Sequence, residues 1–428
     1  MHALTKLIKN DMRPALGVTE PGAIAFAAAT AKKYTEGTVQ KVRVALNSGM
    51  YKNAFTCGIP NSSRFGNFYA AALGAVAADC ELGLESLANI TPEDDEQAAK
   101  MVEDGKVEVV MDHIGSEITI DAEIWTETDC CKVFIRGKHT NIVKIEKNGE
   151  CIFESGAKEE KADENEETPL IHTFSLHEIL EYVNQVPEKD ICFIRDAFSM
   201  NMELLEEGMR LERAVITKQL LRKNGNRIFS ADEKNTAQLL CNGAIEARVL
   251  GLGRPAMSIT GSGAHGIIAV MPLFAYYQVR DNGAEKDEGR LLRAAALSYL
   301  VTMYIKEYSG RLSAFCGCGI AAGTGMACGL AFLRGANEKQ MEMVIRNMAS
   351  GLTGMICDGG NHGCAMKGIV AVDAAFWAVD LAMENVSIDG IHGINGKTPE
   401  DTMRFMGMIA SPGMVETEKT IVDIMEQK

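Results

Sequence analysis

The chain has 428 residues, 46% apolar and 24% charged, with 43 Lys and Arg against 58 Asp and Glu, a formal net charge of −15. That length supports two or three domains with sizeable cores. The acidic balance argues against a nucleic-acid or anionic-membrane partner, because a phosphate surface repels it.

At the N-terminus, "MHALTKLIKNDMRP" lacks the apolar core and cleavage site of a secretory signal. "TEPGAIAFAAATAKKY" reads as a helix, with Thr19 as its cap and Glu20 and Pro21 in its first turn. "VQKVRVALNSG" alternates like a strand, "FGNFYAAALGAVAADC" reads as a buried helix and "PEDDEQAAKMVEDG" as a polar one. The β-branched segments "KVEVVMDH", "EITIDAEIWTET", "CCKVFIRG", "HTNIVKIEKNG" and "ECIFESG", broken by Gly, Asp and Asn, predict an antiparallel meander. "AKEEKADENEETP" is acidic and of low complexity, a solvated linker. From about Ser175 onward the segments are long, apolar or amphipathic, with no strand pattern and no repeat. The longest apolar runs, such as "GIAAGTGMACGLAFL", fall short of the roughly 20 residues that cross a bilayer. The expectation is therefore an α+β, cytoplasmic protein without a membrane partner. An N-terminal α/β domain with a mostly antiparallel sheet occupies residues 1–170, and an all-helical domain occupies 171–428.

No export signal accompanies the twelve cysteines, so a disulfide framework is not expected. Cys57, Cys80, Cys130, Cys131, Cys151, Cys192 and Cys241 are scattered and read as structural. "FCGCGIAAGTGMACG" and "ICDGGNHGCAMKG" differ, since they set Cys316, Cys318, Cys357 and Cys364 beside glycines at helix breaks. Backbone N–H groups approach a sulfur closely there and favour a thiolate. Neither a C-x-x-C pair nor a ferredoxin spacing occurs, so core cysteines and metal ligands both remain open on spacing alone.

Seven segments occur in order: "GVTEPGAIAFAAA", "SGMYKNAFTCGIP", "GKHTNIVKIEKNG", "TGSGAHGIIAVMP", "RLSAFCGCGIAAGTG", "MICDGGNHGCAMK" and "PGMVETEKTI". Together they resemble the L-cysteine desulfidase family, which is related to the α chain of iron–sulfur-dependent L-serine dehydratase. The resemblance implies a [4Fe–4S] cluster on three cysteines, and an α,β-elimination that releases pyruvate, ammonia and sulfide or water from a small amino acid. It implies Cys357 and Cys364 as one ligand pair, with Cys318 or Cys316 as the third ligand, Cys318 being preferred. Cys328 is then packing. The chain departs from the family at Val18, where a cysteine is usual, at Ala264, where asparagine is usual, and in the turn "IPNSSRFGN". A catalytically divergent relative that binds an amino acid or another small carboxylate is the alternative.

The remaining candidates surround that reading. Thr19 and Glu20 either open a helix or hold a substrate carboxylate, with Glu20 able to replace the missing thiol as base. Lys52 is a solvated loop charge or a carboxylate contact, with Asn53 beside it. His139, Thr140 and Asn141 make turn hydrogen bonds or meet the substrate's polar groups, His139 as a proton shuttle. Ser262 and His265 lie in "GSGAHG", which lines a pocket by close backbone approach. It is not a dinucleotide fingerprint, since neither a strand nor a βαβ unit frames it. Lys367 faces the cluster or solvent. A small amino acid is the expected partner, and a homodimer fits.

Overall fold

The computed structural model describes residues 1–155, 168–280, 287–310 and 312–428. Most of the acidic stretch expected to be a linker lies outside those residues. The first part runs α1 (Ala3–Asp11), β1 (Arg13–Leu16), α2 (Thr19–Lys33), β2 (Val39–Asn47), α3 (Ser48–Ala54), α4 (Asn67–Val76) and α5 (Pro92–Glu103). Strands β3 (Val107–His113), β4 (Thr119–Thr126), β5 (Cys130–Arg136), β6 (Ile142–Lys147) and β7 (Glu150–Glu154) follow.

These strands form a sheet in the order β3-β2-β4-β5-β6-β7. The expected meander holds from β4 to β7, which pair antiparallel. β3 instead pairs parallel to β2, because α3, α4 and α5 carry the chain back across to the same end of the sheet, as a parallel connection requires. Alternation directs Ile120, Ala122 and Ile124 of β4, and Cys131, Val133 and Ile135 of β5, into the core. α2 covers that face. It is apolar all round because α4 covers its other side, and a Cβ on Gly74 would lie 2.6 Å from Ala25 O.

The second part is helical, as expected: α6 (Leu176–Gln185), α7 (Glu188–Ile191), α8 (Arg195–Met209), α9 (Val215–Lys223), α10 (Glu233–Val249), α11 (Gly263–Val279) and α12 (Glu288–Ser309). α13 (Gly323–Leu333), α14 (Glu338–Leu352), α15 (Gly363–Met383), α16 (Pro399–Ala410) and α17 (Val415–Met425) complete it. Among the described residues one strand interrupts the helices, β8 (Pro255–Ser258), paired antiparallel with β1. Four residues, PAMS, are too few to show alternation, so the strand depends on a partner more than 200 residues away.

Among the described residues two large hydrophobic cores form, one mainly from residues 23–145 and the other mainly from the helices beyond 170, with two small clusters beside them. The chain ends cross between them. Leu4, Ile8 and Met12 of α1 pack into the helical core, while Val422 of α17 packs into the sheet core. Among the described residues no helix is long and apolar enough to cross a membrane.

Candidate active site

Two glycine-rich turns meet in the helical part. The first runs through Cys316 into a π-turn, Cys318–Ala322, and then α13. The second joins α14 to α15. A bridge between Phe315 and Ile356 binds them: Cys316 N–H donates to Met355 O at 3.1 Å, and Cys357 N–H to Ala314 O at 2.6 Å. Glycine permits the approach, since a Cβ on Gly319 would lie 2.3 Å from Met355 Sδ.

Cys318, Cys357 and Cys364 are partly exposed, whereas Cys316 is buried and its sulfur accepts from Gly319 N–H at 3.4 Å. Cys328 is buried within α13, as packing requires. Burial pushes the Cys364 thiol up to about 11, against the pull of Lys367. Lys367 is not a surface lysine: it pairs with Asp358, and although burial opposes its charge, Cys364, Asp358 and Cys357 hold it above the ordinary value. Among the described residues no three His, Cys, Asp or Glu side chains converge as ligands of a single ion. In donor chemistry, however, the turns suit a thiolate-bound cluster. They offer soft sulfurs, a glycine N–H that already donates to a cysteine sulfur, and a nearby cation in Lys367.

The sheet part supplies the facing wall. Gly359, at φ +96°, lies against α3, where a Cβ would meet Lys52 O at 2.3 Å. Lys52 is 1% exposed, and its Nζ donates to Ser313 O at 2.9 Å, Cys357 O at 3.0 Å and Glu418 Oε2 at 2.8 Å. The carboxylate it contacts is therefore Glu418 of this chain. Asn53 Nδ2 donates to Glu20 Oε1 at 2.8 Å, and Asn53 Oδ1 lies 4.0 Å from Cys357 Sγ. Thr19 does not cap α2. Val18 holds the cap position with no side-chain bond, so the first N–H groups of α2 are uncapped. The Val18 side chain packs with Cys57, Val249 and Cys364, and a Cβ on Gly360 would lie 2.9 Å from its Cγ1.

"GSGAHG" forms the third wall. A strand, β8, does precede it and α11 follows, contrary to the expectation; β8 pairs only antiparallel, so no βαβ unit forms. Ser262 holds the cap position of α11 without a side-chain bond. His265 is 5% exposed. Thr260 Oγ1 donates to Ile259 O at 2.7 Å and so accepts from His265 Nδ1, 2.6 Å away. That leaves Nε2 unprotonated, 2.7 Å from where a Cβ on Gly317 would sit.

Burial, then the charges of Lys306 and Arg248, push His265 down to about 3. Its folded pKa lies below the unfolded value, so the unfolded chain takes up the proton first on acidification. The stabilisation is complete above pH ~6.5 and is lost as pH falls toward 3, by up to ~1.4 kcal/mol per unit. Urea midpoints between pH 7 and 5 are expected to fall in the wild type and to fall less in His265→Gln. Equal slopes would remove His265 as the cause.

The serine dehydratase alpha chain family matches residues 81–423, most of the chain and both cysteine turns. The chain belongs to the serine dehydratase alpha-chain family. A UPF0597 protein of Clostridium botulinum (strain Langeland) is 39% identical over 431 residues, covering 99% of this chain and 98% of that protein. UPF0597 proteins of Caldanaerobacter subterraneus and Clostridioides difficile are 36% and 34% identical, covering 99% and 98% of this chain and 98% of each relative.

Within this family member, Glu20, Lys52, Asn53, Cys357, Cys364 and the Gly317–His265 contact form one continuous region. His139, Thr140 and Asn141 lie in the β5–β6 turn. It sits at the same end of the sheet as α3, since Gly137 N–H donates to Ile118 O at 2.9 Å and Thr119 N–H to Asn47 Oδ1 at 3.1 Å. His139 is half-buried there, Thr140 and Asn141 are exposed, and Asn141 Nδ2 donates to Arg136 O at 3.0 Å. Three participants escaped the sequence reading. Cys57, read as structural, contacts Val18 and Cys364. Lys306 lies close enough to Cys318 and Cys357 to act on them by charge, and burial brings it down to about 8. Arg248 ends an ordinary-looking helix, with no motif to signal it.

Proposed function

We propose that the chain is an iron–sulfur lyase that eliminates the β-substituent of a small α-amino acid, of the L-serine or L-cysteine type, giving pyruvate, ammonia and water or sulfide. The observation that carries this reading is the junction of the two cysteine turns with the Asn53–Glu20 pair. Sulfur donors and a held carboxylate thereby share one region. Cys318, Cys357 and Cys364 would hold the [4Fe–4S] cluster. When bound, a cluster with three protein ligands supplies an open iron as a Lewis acid for the leaving group.

The chain's own residues do the rest. Glu20, with one oxygen fixed by Asn53, is the base for the α-proton, and the surrounding apolar wall limits its hydration. Thr19 and the uncapped start of α2 add N–H donors. His139 stands at the same end of the sheet to relay a proton near neutral pH. Val18 favours a second reading. Its isopropyl group fills the place of a thiol against Cys364, as in a relative that binds an amino acid without turning it over.

Anaerobically purified protein is expected to be brown, to hold about four iron per chain and to release pyruvate from L-serine or L-cysteine. Iron-replete protein that forms no pyruvate from either defeats the lyase reading and leaves the second. Desulfidase activity gained in Val18→Cys would support the second reading for the wild type while confirming the site.

A further inference from the structure

We propose that Arg248, together with the start of α11, is the anchor for the substrate's carboxylate, an assignment that rests on the reading of this site as one for a small amino acid. Arg248 is 5% exposed, and its Nε is buried without a hydrogen-bond partner. Among the described residues no carboxylate lies within ion-pair distance of its guanidinium. A buried cation without a counter-charge is costly, and in folded proteins such groups are paired. The missing partner is therefore an anion that arrives from outside the chain.

The surroundings are shaped for one. The guanidinium lies across the first turn of α11, where a Cβ on Gly263 would come 2.8 Å from Nε and 3.2 Å from Cδ. α11 is 17 residues long, and its cap residue, Ser262, makes no side-chain bond, so the first-turn N–H groups have no side-chain acceptor and the positive end of the helix dipole faces the same side as the guanidinium. Gly266 lets this helix press on β8, since a Cβ there would lie 1.9 Å from Met257 O.

Charge selects the ligand class. Val18 and Val249, within two residues of Glu20 and Arg248 in the chain, pack together with Cys57, and Gly58 N–H, next to Cys57, donates to Val249 O at 2.9 Å. One small space thus offers a cation for an anion and a carboxylate for a cation. That pattern matches the two ends of an α-amino acid and opposes a dianion such as phosphate. A guanidinium also matches the planar carboxylate with two parallel hydrogen bonds, which an ammonium cannot reproduce.

The test uses the full chain, with L-serine, L-serinamide and inorganic phosphate as probes, read by calorimetry and by ligand-induced shift in melting temperature. L-serine is expected to bind and stabilise the wild type, and L-serinamide and phosphate are not. Arg248→Met is expected to weaken L-serine by roughly 30-fold or more, with iron content and unliganded melting temperature kept. Arg248→Lys should fall between, and it stands in should the methionine variant not fold. The assignment is overturned if L-serinamide binds as well as L-serine, if phosphate binds better, if L-serine does not bind the wild type, or if Arg248→Lys and Arg248→Met bind L-serine like the wild type. Failure of the lyase reading looks different: L-serine binds and Arg248→Met weakens it, yet no pyruvate forms.

Discussion

Lys52→Met is expected to destabilise the protein by about 3–5 kcal/mol, the range for removing one partner of a buried ion pair. The Lys52 side chain is 0% exposed and that of Glu418 6% exposed. Glu418 Oε1 already lacks a partner, so losing Lys52 leaves both carboxylate oxygens buried without one. Glu418→Gln should cost less, because Lys52 keeps the carbonyls of Ser313 and Cys357 as acceptors and the glutamine can still accept. The double variant Lys52→Met/Glu418→Met should recover part of the loss, since an apolar pair leaves no stranded charge. Burial opposes the Lys52 charge, but Cys357 and Glu418 outweigh it, and its pKa stands above 10.5. The folded value is raised, so the contribution is intact at neutral pH and is lost only as pH rises above ~10.5. Urea titrations of the wild type, these variants and the single Glu418→Met check this. Additive losses in the double variant would show that the pair is not coupled. Because Nζ reaches Ser313 and Cys357, one on each cysteine turn, Lys52→Met should also release iron faster.

What the sequence made legible follows from the range of the interactions. The strands β4 and β5 were readable because alternation is local, and the helices beyond 170 because long apolar or amphipathic segments without a strand pattern are a local feature too. The parallel placement of β3 depends on a crossover through three helices, and β8 exists only through β1. Thr19 has the chemistry of a cap, but Gly17, at φ +61°, turns the chain one residue too early, and Val18 takes the position. At the site, cysteine next to glycine was a usable signal because the backbone needs glycine at those turns. Lys52 was ambiguous because its partner lies 366 positions away. Arg248 was invisible for a different reason: what distinguishes it is a missing partner, and absence of a partner has no sequence pattern.

Cys357→Ser and Cys364→Ser are each expected to reduce iron to background and abolish elimination, and Cys318→Ser to do the same. A serine hydroxyl stays protonated at neutral pH and does not replace a thiolate, whereas on Cys364 the charge of Lys367 works against burial in favour of the ionised sulfur. Cys316→Ser is expected to keep its iron and to lose at most about 10–100-fold in activity, the size of an outer-shell effect. The distinction rests on orientation. Cys318, Cys357 and Cys364 are open to an incoming group, while Cys316 is buried beside Gly319 N–H. One relation weighs the other way: Cys316 lies near enough to Cys364 and Lys367 to influence both electrostatically, so it borders the same space. A buried thiol that already accepts a backbone N–H fits the role of a neighbour tuning the ligands. Serine is close to cysteine in size, so all four variants should melt, without iron, near the iron-free wild type. Iron per chain, measured alongside that melt, separates loss of a ligand from loss of the fold. Iron retained in Cys318→Ser and lost in Cys316→Ser would move the third ligand two residues upstream, with the Cys357–Cys364 pair unaffected.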